Sequence, residues 1–321
     1  MTPIAQVRPD GRPAAFAMGW GGALVAALVV VLTRPVTWVL GLAGFLARGG
    51  IVLLALPVTV LPTPSGVQNA LGGPVSSVLF GAPSAGLLLL VGVLAAGGVL
   101  LLVAGTLAGA WAERAGICIA LEAAADEALL EGAVPVPRAG VARIAVVRLL
   151  GLVPVAVLLL LSLPTIYAVG YRELILPEEL RTPLLARILV AAPGTFAALA
   201  VAWFAGDAAA SAAVRRLVFE PVAVPAAWLL GWWDLVRWAP RMVATGVLGL
   251  AFFGALVAPG ALAAVLGWAR VRETFMEGRD PVAMVLAVVL WVAAWLGALV
   301  LAGLASALRN AAWTFTALRR G

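Results

Sequence analysis

Arg48, Gly49 and Gly50 interrupt an otherwise apolar run, FLARGGIVLLALP (45–57), and their types invite chemistry. Arginine stays charged at any physiological pH and offers five N–H donors in a planar fork suited to carboxylate or phosphate. The two glycines remove side chains beside it, so another backbone or a ligand can approach closely. If 36–62 is one helix, Arg48 lies 12 residues past Val36. At about 1.5 Å per residue that is about 18 Å in, near a bilayer midplane. A charge at that depth costs roughly 2.5–3.5 kcal/mol on the translocon scale and needs a partner. Two readings stand. In one, Arg48 binds an anionic group, a lipid phosphate or small anion, within a helix bundle. In the other, the helix breaks at Arg48-Gly49-Gly50 and Arg48 pairs with Asp207, Glu113 or a backbone carbonyl. Asp207 is the favoured partner, because it too ends a span inside a small-residue run.

A second polar group lies in ICIALEAAADEALLEG (117–132), a run of strong helix formers. It gathers Glu122, Asp126, Glu127 and Glu131 on one broad side. Carboxylates so spaced could hold a hard cation such as Mg²⁺ or Ca²⁺, dock the neighbouring Arg138, Arg143 or Arg215, or form a solvated helix face, which is the reading adopted. The chain has no histidine and no lysine, and its one cysteine is Cys118. Zinc and haem ligand sets, a Ser-His-Asp triad and an intrachain disulfide are therefore excluded. A phosphate-binding GxxxxGK[ST] loop is impossible, and neither GxSxG nor HExxH occurs. No catalytic residue, cofactor or metal is expected.

The elements that position these residues are helices in lipid. Of 321 residues, 64% are hydrophobic and 11% charged, with a mean hydropathy of +1.11. A soluble domain carries about 25% charge. The fold class expected is an all-α polytopic bundle. Six spans are predicted at about 36–62, 84–110, 144–169, 186–206, 241–267 and 282–305. The segment 16–33 is barely long enough to cross and is read as an interfacial helix, with a seventh span as the alternative. The uncharged connection 63–84 is read as a loop, with a dip into the membrane as the alternative. Pro177, placed as a first-turn proline before two glutamates, predicts a short surface helix within RELILPEELR (172–181).

Three closing stretches repeat a pattern: AGTLAGAWAER (104–114), AGDAAASAAVRR (205–216) and AGLASALRN (302–310). Each starts Ala-Gly and reaches an arginine. They suggest three helical hairpins: 16–131, with an interfacial helix and an acidic cytoplasmic helix; 132–220; and 221–321. The hairpins form one membrane domain after a flexible tail, 1–15. The Trp-rich lead-in 225–238 of the third corresponds to 16–33 of the first. Gly105 and Gly109 form a GxxxG, and Ala208, Ser211 and Ala212 continue the small-residue theme, expected to pack helices within the chain. On this topology Arg8, Arg12, Arg34, Arg114, Arg138, Arg143, Arg148, Arg215, Arg216, Arg237, Arg241, Arg309, Arg319 and Arg320 share one side. Arg172, Arg181, Arg187, Arg270, Arg272 and Arg279 share the other. The positive-inside rule then puts both termini in the cytoplasm. The dispersed arginines suit anionic headgroups, not nucleic acid.

The run TRPVTWVLGLAGFLARGGIVLLALPVTVLPTP (33–64) resembles the opening of uncharacterised multi-pass membrane proteins of GC-rich bacteria. The later stretches GDAAASAAVRR and LASALRNAAWTF are similar to the six-span membrane domain attached to some bacterial glycerophosphodiester phosphodiesterases. That resemblance implies architecture only, since the hydrolase motif needs histidines. The expectation is a bacterial inner-membrane protein and not an enzyme. It would be an accessory or scaffold protein with membrane lipids, and other membrane proteins, as partners. The alternative is a transporter or a lipid- or anion-handling protein using Arg48.

Overall fold

Long apolar helices build the protein. The computed structural model describes residues 19–50, 81, 85–126, 137–175, 184–276 and 281–318, and every element among them is helical. In chain order they are α1 (Trp20–Thr33), α2 (Val36–Phe45), a π-type turn (Leu46–Gly50), α3 (Ala85–Asp126), α4 (Val141–Gly151), α5 (Val153–Ile175), α6 (Leu184–Ala191), α7 (Pro193–Phe219), α8 (Val224–Arg237), α9 (Ala239–Met276) and α10 (Pro281–Leu318). Among the described residues, five stretches are long and apolar enough to cross a bilayer: Ala85–Asp126, Val141–Glu173, Pro193–Phe219, Ala239–Met276 and Pro281–Leu318. A sixth arises if Trp20–Thr33 and Val36–Gly50, bent by 103°, count as one. The protein is an all-α polytopic membrane bundle. The tail 1–15, the second half of the first predicted span, nearly all of 63–84, the Pro177 helix, Glu127 and Glu131 lie outside the described residues.

The first predicted span is broken at Arg48-Gly49-Gly50, as the second of the two readings of that stretch has it, and is not one helix. It stops at Phe45, and the backbone leaves helical geometry at Arg48 (φ −91°, ψ 18°) and Gly49 (φ 96°, ψ 2°). A positive φ there is cheap only for glycine. The depth reckoned for Arg48 assumed a straight helix and lapses with it. Conversely, the second span and the acidic segment are continuous in α3. No proline falls in 85–126, and the glycines there are single or paired within strong helix formers.

The chain divides into two compact units: Met1–Val58, Gly105–Gly151 and Asp207–Gly321; and Thr59–Ala104 and Leu152–Gly206. In the first unit a core joins Ala23, Ala27 and Val30 of α1, Ile117 and Leu121 of α3, Ile144 and Val147 of α4, Val214 and Leu217 of α7 and Phe315 of α10. On α1 the buried positions recur every three or four residues, the face a helix packs. Helix α10 lies along α9 and also against α2 and α1. Small residues make these approaches close. A Cβ on Gly303 would sit 2.5 Å from the Trp38 carbonyl oxygen and 3.1 Å from Leu42 Cβ, and one on Gly260 would sit 2.8 Å from Ala298 Cβ. Between membrane helices no hydrophobic effect drives association, so dispersion and close backbone contact must hold them. In the second unit α5 packs on α6, and Glu173 lies 3.7 Å from Arg187, both buried.

Helix α8 is fixed to the end of α7. Arg216 donates from Nε and Nη2 to the two Asp234 oxygens at 2.8 and 2.9 Å, and Gly231 lets α8 approach Ala213. The opposite face of α8 exposes Leu229, Trp233 and Val236.

Candidate functional site: a guanidinium cluster

Helix α2 runs antiparallel to the second half of α3. At one end Arg34 Nη2 meets Asp126 Oδ2 at 2.6 Å, and at the other Ala47 lies against Gly105. The GxxxG of α3 explains how Arg48 fits. Gly105 admits the Ala47 carbonyl, and Gly109 clears room for the Arg48 side chain, whose Nε and Cγ would lie 3.1 and 3.2 Å from a Cβ there. One turn further along α3 stands Glu113.

Glu113 is the hub. It accepts hydrogen bonds from Arg48 Nη2 at 2.6 Å, from Arg148 Nε and Nη2 at 2.8 and 2.5 Å, and from Arg215 Nη1 at 2.5 Å. Arg148 also donates to Asp207 at 3.2 Å and to the Ser211 hydroxyl at 3.0 Å. Asp207 in turn accepts from Arg309. Asn310 closes the ring. Its side-chain oxygen accepts from Arg215 Nη2 at 2.5 Å, while its amide donates to the Glu113 carbonyl at 3.3 Å. Residues from the π-type turn, α3, α4, α7 and α10 thus meet in one network of charge-assisted bonds, the strong kind.

The network is unbalanced. Four arginines face two carboxylates, and among the described residues no third carboxylate reaches them. The surplus is two positive charges. It is not evenly shared. The Arg215 and Arg148 side chains are 1% and 12% exposed, against 23% for Arg309 and 39% for Arg48. Arg148 commits all three nitrogens. Arg48 and Arg309 each commit only one to the described residues, leaving Nε and Nη1 of both without a bond there. Two inner arginines tie the helices together, and two outer ones keep donors in hand.

The structure gathers Arg48, Glu113 and Asp207 of the sequence-derived candidates, with Gly49 and Gly50 forming the turn that presents Arg48. Arg48 takes Glu113 as its direct partner, not Asp207, which Arg148 and Arg309 hold. Arg148, Arg215, Arg309, Asn310 and Ser211 were not named as site residues. Their signal was present: all but Arg148 are polar residues inside the Ala/Gly-rich closing stretches, where a polar side chain needs a partner. Of the acidic patch, Glu122 and Asp126 fall among the described residues. Both are exposed, Asp126 pairs with Arg34 instead of Arg138, Arg143 or Arg215, and among the described residues no three potential ligands gather for a metal.

No family model, curated protein or solved structure matches the chain.

Proposed function

We propose that the chain is a multi-pass protein of the bacterial cytoplasmic membrane, both termini cytoplasmic, that binds an anionic group at the guanidinium cluster without catalysing a reaction. The observation that carries this reading is the surplus of two positive charges, concentrated on the two arginines with uncommitted donors. A cluster serving only to staple helices has no need of more cations than anions, and each unneutralised charge raises its energy. An anion that enters gains charge-assisted hydrogen bonds and relieves that repulsion together. The cytoplasmic side follows from the arginine asymmetry of the sequence, and the resemblance to multi-pass proteins of GC-rich bacteria supports the inner membrane.

The test is equilibrium binding of inorganic phosphate, sulfate and anionic-lipid nanodiscs to the purified full chain and to Arg48→Leu. Arg48→Leu abolishes binding while elution volume and helicity stay unchanged. Anion binding that is indifferent to Arg48 refutes the reading.

A second reading, an accessory or scaffold protein that packs with other membrane components, is supported by Glu113 tying arginines from three other segments into one clasp. It requires a stoichiometric partner in gently solubilised native membranes; recovery as a lone species counts against it.

A further inference from the structure

We infer that the anion taken by the cluster is a terminal phosphate, a phosphomonoester, carried on a membrane lipid and held between Arg48 and Arg309. This deepens the anion-binding reading above and rests on it.

Three observations converge. The first is charge. The surplus of two matches a terminal phosphate, which carries about −1.5 to −2 at pH 7. A phosphodiester or a carboxylate, each carrying one negative charge, would leave a cation unneutralised. The second is donor geometry. Arg48 and Arg309 each keep Nε and one terminal nitrogen free of the described residues. These two nitrogens flank Cδ and do not share an edge, since both two-point edges include the committed Nη2, so each donates singly to a phosphate oxygen. The two arginines together supply four single donors, enough for the three oxygens of a terminal phosphate. A diester offers only two unesterified oxygens.

The third observation is placement, which selects a lipid over a free ion. On α10, large apolar side chains are exposed from Val282 to Val300, and Arg309 follows nine positions later, about 14 Å along the helix. Beyond Val300 that helix is mainly buried. Arg309 lies against Gly249 of α9, whose neighbours Val243 and Val247 are exposed. Beside Arg48, Phe45 packs on Phe253 with ring centroids 5.3 Å apart. The two arginines therefore stand where lipid-facing apolar surface gives way to a packed interior, the height of a headgroup. A lipid placed with its phosphate between them has apolar helix faces for its chains.

The experiment uses the full chain in nanodiscs of neutral lipid, doped in turn with dioleoyl phosphatidic acid (a phosphomonoester) or dioleoyl phosphatidylglycerol (a diester). Retained lipid is counted by native mass spectrometry, with inorganic phosphate as competitor. Phosphatidic acid is retained roughly tenfold over phosphatidylglycerol, the scale of one charged hydrogen bond. Its retention falls severalfold from about pH 7.5 to about pH 5 as the second ionisation, near pH 6, is lost, while that of phosphatidylglycerol stays flat. Arg48→Gln and Arg309→Gln each lower phosphatidic acid retention roughly tenfold, and Arg270→Gln, an exposed arginine on α9, leaves it unchanged. Because Arg309 also holds Asp207, Arg48→Lys is the second variant. It keeps the charge but loses the separate Nε and Nη1 donors, and it must reduce the preference for phosphatidic acid over phosphatidylglycerol. Equal, Arg48-dependent retention of both lipids overturns the phosphomonoester and leaves the anion site standing. Full displacement of phosphatidic acid by millimolar phosphate overturns the lipid source. Absence of any Arg48-dependent binding, of lipid, phosphate or sulfate, removes both this inference and the reading beneath it.

Discussion

Replacing Glu113 by Gln tests whether the cluster holds the helices together. The two side chains are nearly the same size, so the change is electrical. Each Glu113 oxygen accepts two bonds, Oε1 from Arg148 and Arg215 and Oε2 from Arg48 and Arg148. The amide keeps one acceptor oxygen and turns the other position into a donor facing guanidinium nitrogens. Two charge-assisted bonds are lost, each worth about 1.5–3 kcal/mol, and the surplus rises from two charges to three. With the Glu113 side chain 3% exposed, water cannot compensate. The expected loss is about 3–5 kcal/mol, the range for breaking a buried ion pair by removing one partner. At roughly 2–4 °C per kcal/mol this lowers the apparent melting temperature by on the order of 10 °C, followed by the fluorescence of the 12 tryptophans. Arg48→Gln is the internal comparison. Its side chain is 39% exposed, so its pair is worth at most about 1 kcal/mol, and removing it also lowers the surplus charge. It should melt near the wild type. If Glu113→Gln melts with the wild type, or Arg48→Gln falls as far as Glu113→Gln, the division into inner and outer arginines is wrong.

Gly303→Ala pushes a methyl onto the Trp38 carbonyl and should cost about 1–3 kcal/mol in the same assay, whereas Gly254→Ala, whose new methyl meets nothing within 4 Å, should be neutral or mildly stabilising. Gly49→Ala places a side chain at φ 96°; a loss of about 1–2 kcal/mol is expected, with Arg48-dependent binding weakened because the turn aims that side chain. In a Cys118→Ser background, cysteines introduced by Thr2→Cys and Gly321→Cys should both resist an impermeant maleimide in intact cells and both react in inverted vesicles; reaction of one from outside would sink the cytoplasmic placement of the ends.

The bundle was legible because lipid imposes few choices. Apolar runs longer than a bilayer must be helices, since any other backbone leaves polar groups unpaired. Helix ends were harder. The segment 117–132 looks separate in composition, but backbone hydrogen bonding ignores a shift from apolar to acidic side chains, so α3 runs on to Asp126. The Arg48 break was visible as Arg-Gly-Gly, whereas the partner was not. Asp207 and Glu113 occupy similar small-residue stretches, and only the antiparallel course of α2 along α3 selects Glu113. Arg148 lay farthest from view, since nothing local to VARIAVVRLLG (141–151) shows that its fork reaches carboxylates 35 and 59 positions away.

The two roles of the cluster pull against each other, and the arrangement separates them by depth. Arg148 and Arg215 are enclosed and bonded to Glu113, Asp207, Ser211 and Asn310, so removing either takes donors from buried carboxylate, hydroxyl or amide oxygens. Arg48 and Arg309 add the remaining positive charge from the more open side. Without an anion they repel each other and the inner pair, a standing cost to the fold. A polar staple could avoid that cost with two fewer arginines or two more acids. The Gly49 turn and the Gly109 slot instead accommodate Arg48 against that repulsion. Strain of this kind concentrates where a protein binds something, and here the missing charge is negative.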